Sequence, residues 1–167
     1  KNRKPQSNYF SFQKYKAFHD RKETPFTPAV SLYFALDEAL QMLREEGLEN
    51  RIARHAKMAD AFYAAAETLK LELFAHPSCR SNTVIAMKNP PGIDVHQMRT
   101  VMREKYGVVI TGGMGAIRDS TFRIGSMGTV SPVEVKATVE ALEKGLEAVG
   151  YKFEPGAGMR AAEKALA

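Results

Sequence analysis

The chain has 167 residues, 44% of them hydrophobic, with one cysteine and a formal charge of +5, enough apolar material for one domain with its own core, or one domain plus an appendage. No apolar run approaches the roughly 20 residues that span a bilayer and no secretory start is present, so the sequence reads as soluble and cytoplasmic with no membrane partner. Cys79 alone makes neither an internal disulfide nor a zinc cluster, and the basic residues are scattered among acids except near the start (Lys1, Arg3, Lys4, Lys14, Lys16, Arg21, Lys22), which argues against a nucleic-acid partner.

In chain order, residues 8–16 alternate like a strand or the exit from one, with no partner segment nearby. Together with a first residue that is not Met, this suggests a chain cut from something longer, whose aromatics packed elsewhere. Thr24-Pro25-Phe26-Thr27-Pro28 forms a rigid extended connector, because each proline fixes φ and pushes the residue before it out of the helical region. From Ala29 to Glu45 the apolar residues recur at helical spacing and Gly47 supplies a stop. A second helix is predicted over 49–69, with Ile52, Ala56, Ala59, Phe62, Tyr63 and Ala66 on one side and Arg51, Arg54 and Lys57 on the other.

The period then changes. Residues 71–74, 83–87, 108–110 and 121–124 read as strands. Asp94 caps a helix that Gly107 ends, and Ser131-Pro132-Val133-Glu134 is a helix start with N-cap, proline and capping-box acid, leading to about Val149. Residues 156–167 form a short helix or a frayed tail. The order gives an α+β domain: a small, mostly antiparallel sheet with helices packed on one face.

The chemistry concentrates in Phe122-Arg123-Ile124-Gly125-Ser126-Met127-Gly128. An arginine inside an apolar strand that runs into a glycine turn presents a planar fork of donors that stays charged, suited to a carboxylate or phosphate. The competing reading is a salt bridge to a neighbouring acid. Gly112-Gly113-Met114-Gly115 precedes a strand rather than a helix N-terminus, so it fits a hairpin turn better than a phosphate cradle. Thr24 and Thr27 hold hydroxyls on a rigid frame, useful to phosphate oxygens and equally ordinary before proline. His19, His55, His76 and His96 show no metal-ligand spacing, so no metal is expected.

Residues 24–33 (Thr-Pro-Phe-Thr-Pro-Ala-Val-Ser-Leu-Tyr), 45–55 (Glu-Glu-Gly-Leu-Glu-Asn-Arg-Ile-Ala-Arg-His) and 122–128, taken in order, resemble the C-terminal portion of the class V, fold-type I aminotransferases of the alanine-glyoxylate, serine-pyruvate and archaeal aspartate group. The resemblance implies the small C-terminal domain of that fold, preceded by a long interdomain helix. Its boundaries would be 1–28 for a remnant of the large domain with the Thr-Pro connector, 29–46 for the helix, 47–150 for the small domain and 151–167 for a C-terminal tail or short helix. It implies pyridoxal 5'-phosphate as cofactor, an amino acid and a 2-oxo acid as substrates, and a homodimeric parent. Arg123 would grip the substrate α-carboxylate, and Thr27, with Thr24 second, would reach the cofactor phosphate of the neighbouring subunit. Two departures stand out. Ser126 replaces a frequent His, and none of Lys1, Lys4, Lys14, Lys16 or Lys22 has the setting of the family's Schiff-base lysine. No catalytic residue is therefore expected in this chain, and alone it should be inactive. Two rival readings remain: an accessory subunit like the small subunit of soluble hydrogenase, although one cysteine cannot hold an iron-sulfur cluster, and a basic nucleic-acid-binding module.

Overall fold

A computed structural model describes residues 7–167, so the basic cluster at Lys1, Arg3 and Lys4 lies outside the described residues. The chain divides into two compact units, one ending at Glu46 and the other running from Gly47 to Ala167.

In the first unit, α1 (Phe12–His19) replaces the strand expected over residues 8–16. Alternation alone misleads here, because a lone strand leaves its backbone groups unpaired whereas a helix pairs them locally. Ser11 starts the helix by accepting a hydrogen bond from the Lys14 backbone, and Lys16 and Asp20 add an i,i+4 ion pair at 3.1 Å. The alternating aromatics serve a cluster instead: Tyr9 stacks on Phe26 of the connector with ring centroids 4.7 Å apart, and Tyr15 tilts against the same ring at 6.2 Å. The long helix α2 (Val30–Glu46) follows, matching the apolar periodicity, with no buried residue along it.

The second unit is α+β. It contains α3 (Leu48–Thr68), β1 (Val84–Lys88), α4 (Val95–Tyr106), β2 (Thr111–Gly112), β3 (Thr121–Gly125), α5 (Pro132–Ala148) and α6 (Ala157–Leu166). The three strands are antiparallel in the order β1-β3-β2, so β3 is central. Side chains alternate across the pleat. Ile85 pairs with Ile124 and Met87 with Phe122 on the face that joins Met98, Met102, Val135, Val139, Leu142 and Leu146 in the core. Ala86, Arg123 and Thr111 form a row on the other face, and none of the three is fully buried.

Local signals at the helix ends hold. Asp94 accepts from the Gln97 backbone, Gly107 ends α4 in the left-handed region, and Ser131 with Glu134 completes a reciprocal capping box at α5. Gly113 has no substitute, since a Cβ there would lie 2.0 Å from the Ile117 carbonyl oxygen.

Three expectations need correction. Residues 71–74 contribute only one bridge, Leu73 to Met87, because the left-handed turn at Lys70 and the 3-10 turn Pro77–Cys79 carry the chain away on either side. Residues 108–110 form no strand; Val108 bonds back to Met102 at the end of α4 and the ladder begins at Thr111. Ile52 is 51% exposed, since α3 packs into the core only from Met58 onward. Of the two readings for the C-terminal segment, residues 157–166 take the short helix, and it is packed: the buried carboxylate of Glu143 accepts from the Gly156, Gly158 and Met159 backbone at 3.0, 2.8 and 3.2 Å, satisfying the free donors at the start of α6.

Candidate functional site

Arg123 sits on the central strand with Ala86 and Thr111 beside it, half-buried on the face opposite the core. Its Nε donates to the Gly112 carbonyl at 2.9 Å, which anchors the base of the guanidinium. Among the described residues no carboxylate lies within 4.0 Å of it, and neither Nη has a hydrogen-bond partner. The salt-bridge reading therefore has no partner here, and the guanidinium keeps its two outer nitrogens for an anion.

Room for that anion lies alongside. Gly125 is two residues further along β3, on the same face as Arg123, and a Cβ built there would meet nothing within 4 Å. The short edge strand β2 is held by Arg123 at the Gly112 carbonyl, and the residue that leads into it by Arg99 of α4, whose Nε donates to the Ile110 carbonyl at 3.2 Å. The Gly112 carbonyl would otherwise wait at an open sheet edge.

Beyond Gly125 the strand leaves the sheet. The Ser126 backbone donates to the Thr83 carbonyl at 2.8 Å, and its side chain is fully buried with an Oγ that has no partner among the described residues. Gly128 turns the chain at φ +73° and Met127 stands 59% exposed. Arg54 of α3 then spans the turn: Nη1 donates to the Val130 carbonyl at 2.7 Å and Nη2 to the Gly128 carbonyl at 3.0 Å. Sequence reasoning missed Arg54, placing it on the polar side of its helix. Its partners lie 76 and 74 residues away, and no local spacing points to them.

Thr24 and Thr27 come together in the first unit, where they line a cavity of about 360 Å³ with Tyr9, Phe26 and Tyr33. Both are exposed, and among the described residues neither hydroxyl has a hydrogen-bond partner, so each can donate to a phosphate oxygen as the group the resemblance implies requires. Of the N-terminal lysines, Lys14 contacts Asn8 and the Phe26 ring, and Lys16 is paired with Asp20. Among the described residues no three metal-ligating side chains converge, and no helix is long and apolar enough to cross a membrane.

A three-stranded antiparallel sheet backed by helices, with an arginine and a glycine turn on its open face, is the small C-terminal domain of the fold-type I aminotransferases. A ureidoglycine-glyoxylate aminotransferase from Bacillus subtilis superposes on it with a TM-score of 0.90 and 29% identity, over 97% of this chain and 43% of that one. In sequence the chain is 38% identical over 159 residues to an uncharacterized aminotransferase of Methanocaldococcus jannaschii, covering 95% of this chain and 41% of that protein. It is equally similar, at 38% over the same shares, to a protein of Synechococcus described as the small subunit of soluble hydrogenase. No protein-family model matches. The chain belongs to the class V aminotransferases, and it spans about two-fifths of the length of the curated relatives it matches.

Proposed function

We propose that this chain provides the substrate-carboxylate clamp of a pyridoxal-phosphate-dependent aminotransferase that moves an amino group between an amino acid and a 2-oxo acid. The observation that carries the reading is the Arg123 guanidinium, fixed at Nε by Gly112 and open at both Nη, with empty space at Gly125 on the same face. A carboxylate is the group an amino acid and a 2-oxo acid share, so one clamp serves both halves of the exchange. The Bacillus subtilis neighbour is named for glyoxylate, which makes glyoxylate the first acceptor to try, with pyruvate and oxaloacetate after it.

Pyridoxal phosphate, when bound, supplies the carbonyl that accepts the amino group and the electron-poor ring that eases proton loss at the α-carbon. Thr27, with Thr24 second, donates to its phosphate across the interface of a homodimer in the cytosol. The Schiff-base lysine comes from outside this chain, which is inactive by itself. Although two relatives carry a hydrogenase name, a four-thiolate cluster needs cysteines that a chain with Cys79 alone does not have.

The test is exchange of a labelled amino group, catalysed by the intact protein that carries this chain, between an amino acid and glyoxylate or pyruvate. Turnover with α-amino acids, and none with the amines that lack the carboxylate, is expected. Absence of exchange with any amino acid, or equal turnover of the decarboxylated amines, would overturn the reading.

A further inference from the structure

Arg123 owes its surroundings to a turn that it does not itself hold. The ladder with β1 ends at Gly125, and the next fixed point is the Ser126 amide on Thr83. From there the chain passes Met127 and the left-handed Gly128 before Ser131 caps α5. Between those two anchors one side chain from a distant helix takes two carbonyls of the turn, Gly128 and Val130, with the two outer nitrogens of one planar guanidinium. A fork of this kind fixes an orientation as well as a distance, which an ammonium reaching a single carbonyl does not.

We propose that Arg54 is a positioning residue for substrate carboxylates: it holds the turn after β3 so that the space at Gly125, beside the Arg123 guanidinium, stays open. The proposal rests on the aminotransferase reading above. Met127 is the first exposed side chain past Gly125 and has freedom to fold over it once the Gly128 and Val130 carbonyls are released. Loss of Arg54 therefore weakens both carboxylate substrates alike, while the reacting groups stay in place.

The experiment compares Arg54→Ala and Arg54→Lys with the wild type in the intact protein. In Arg54→Ala the KM for the amino acid and for the oxo acid should rise together, by about tenfold or more, with kcat within about threefold and cofactor occupancy unchanged. Guanidinium ion at non-denaturing concentration should bring both KM values back towards normal, and Arg54→Lys should fall between the two. A folded Arg54→Ala with unchanged KM values overturns the proposal. So does a variant in which KM, kcat, cofactor occupancy and thermal midpoint fail together without guanidinium rescue, since that marks a purely structural role. If Arg54→Ala does not fold, Arg54→Lys decides: raised KM for both substrates with kcat retained supports the proposal, and unchanged KM overturns it. Failure of the aminotransferase reading would look different, because the wild type itself would exchange no amino group.

Discussion

Replacing Arg123 with alanine in the intact protein removes two things that the structure separates. One is the pair of uncommitted Nη donors, whose charge-assisted contact with a carboxylate is worth about 1.5–3 kcal/mol, or roughly 10- to 150-fold in affinity. The other is the Nε bond to Gly112, a hydrogen bond to an edge strand worth about 1 kcal/mol of stability at most. The two effects call for different assays. Initial rates over a grid of both substrates should show kcat/KM down for amino acid and oxo acid alike, within that range. A thermal melt should shift by only a few degrees, about 2–4 °C for a protein of ordinary subunit size. Arg123→Lys keeps a charge on a flexible stem but loses the fork, so it should retain part of the stability and little of the affinity. An unchanged kcat/KM in Arg123→Ala would remove this residue from the site. A large loss of stability with no selective effect on the substrates would show that the guanidinium serves the sheet alone.

Three further outcomes follow from particular atoms. Ser126→Ala deletes a fully buried hydroxyl that has no partner among the described residues, so it should raise stability by about 1 kcal/mol rather than lower it, measured by denaturant midpoint; a loss of about 1 kcal/mol or more would mean that Oγ is satisfied in solution. Hydrogen bonds from the Ser131 hydroxyl and backbone hold the Glu134 carboxyl below its ordinary range; a depressed folded-state value gives stability that is present above the ordinary glutamate range and fades as pH falls through the depressed one. Wild type should accordingly exceed Glu134→Gln in thermal midpoint near neutrality and lose that margin in acid, and a margin independent of pH would refute the assignment. Thr27→Val should weaken cofactor binding about tenfold to a hundredfold with little change in folding, because among the described residues the exposed hydroxyl has no protein partner to lose; equal cofactor affinity would leave the Thr-Pro segment as a connector only.

What could be read from the chain and what could not divides along the range of the interactions. Asp94 with Gly107, and Ser131 with Pro132 and Glu134, were legible because a helix end is satisfied by atoms within four residues of it. The strand around Arg123 was legible because burial against one face imposes a period of two. Residues 8–16 show the limit of that rule. An alternating pattern says which side chains share a side, and says nothing about a partner for the backbone; with Ser11 ready to cap and Asp20 placed to pair with Lys16, the helix won.

The site itself was half legible, for the same reason. A lone arginine in an apolar strand announces an anion, and its freedom from carboxylates then had to be seen in three dimensions. What keeps it free was hidden further away. The Gly112 carbonyl that fixes Nε belongs to the preceding strand, and Arg99 holds the residue that leads into that strand from a helix. The turn that leaves the site is held by Arg54, more than seventy residues earlier. Three arginines thus have three different uses within one small sheet, and composition treats them as equivalent. Arg99 gives its Nε and Arg54 its two outer nitrogens to backbone carbonyls, where a planar guanidinium acts as a rigid bracket. Arg123 is anchored at Nε as Arg99 is, but it stands on the central strand of the open face with empty space at Gly125 beside it, and that placement, rather than the presence of arginine, makes the position a candidate for chemistry.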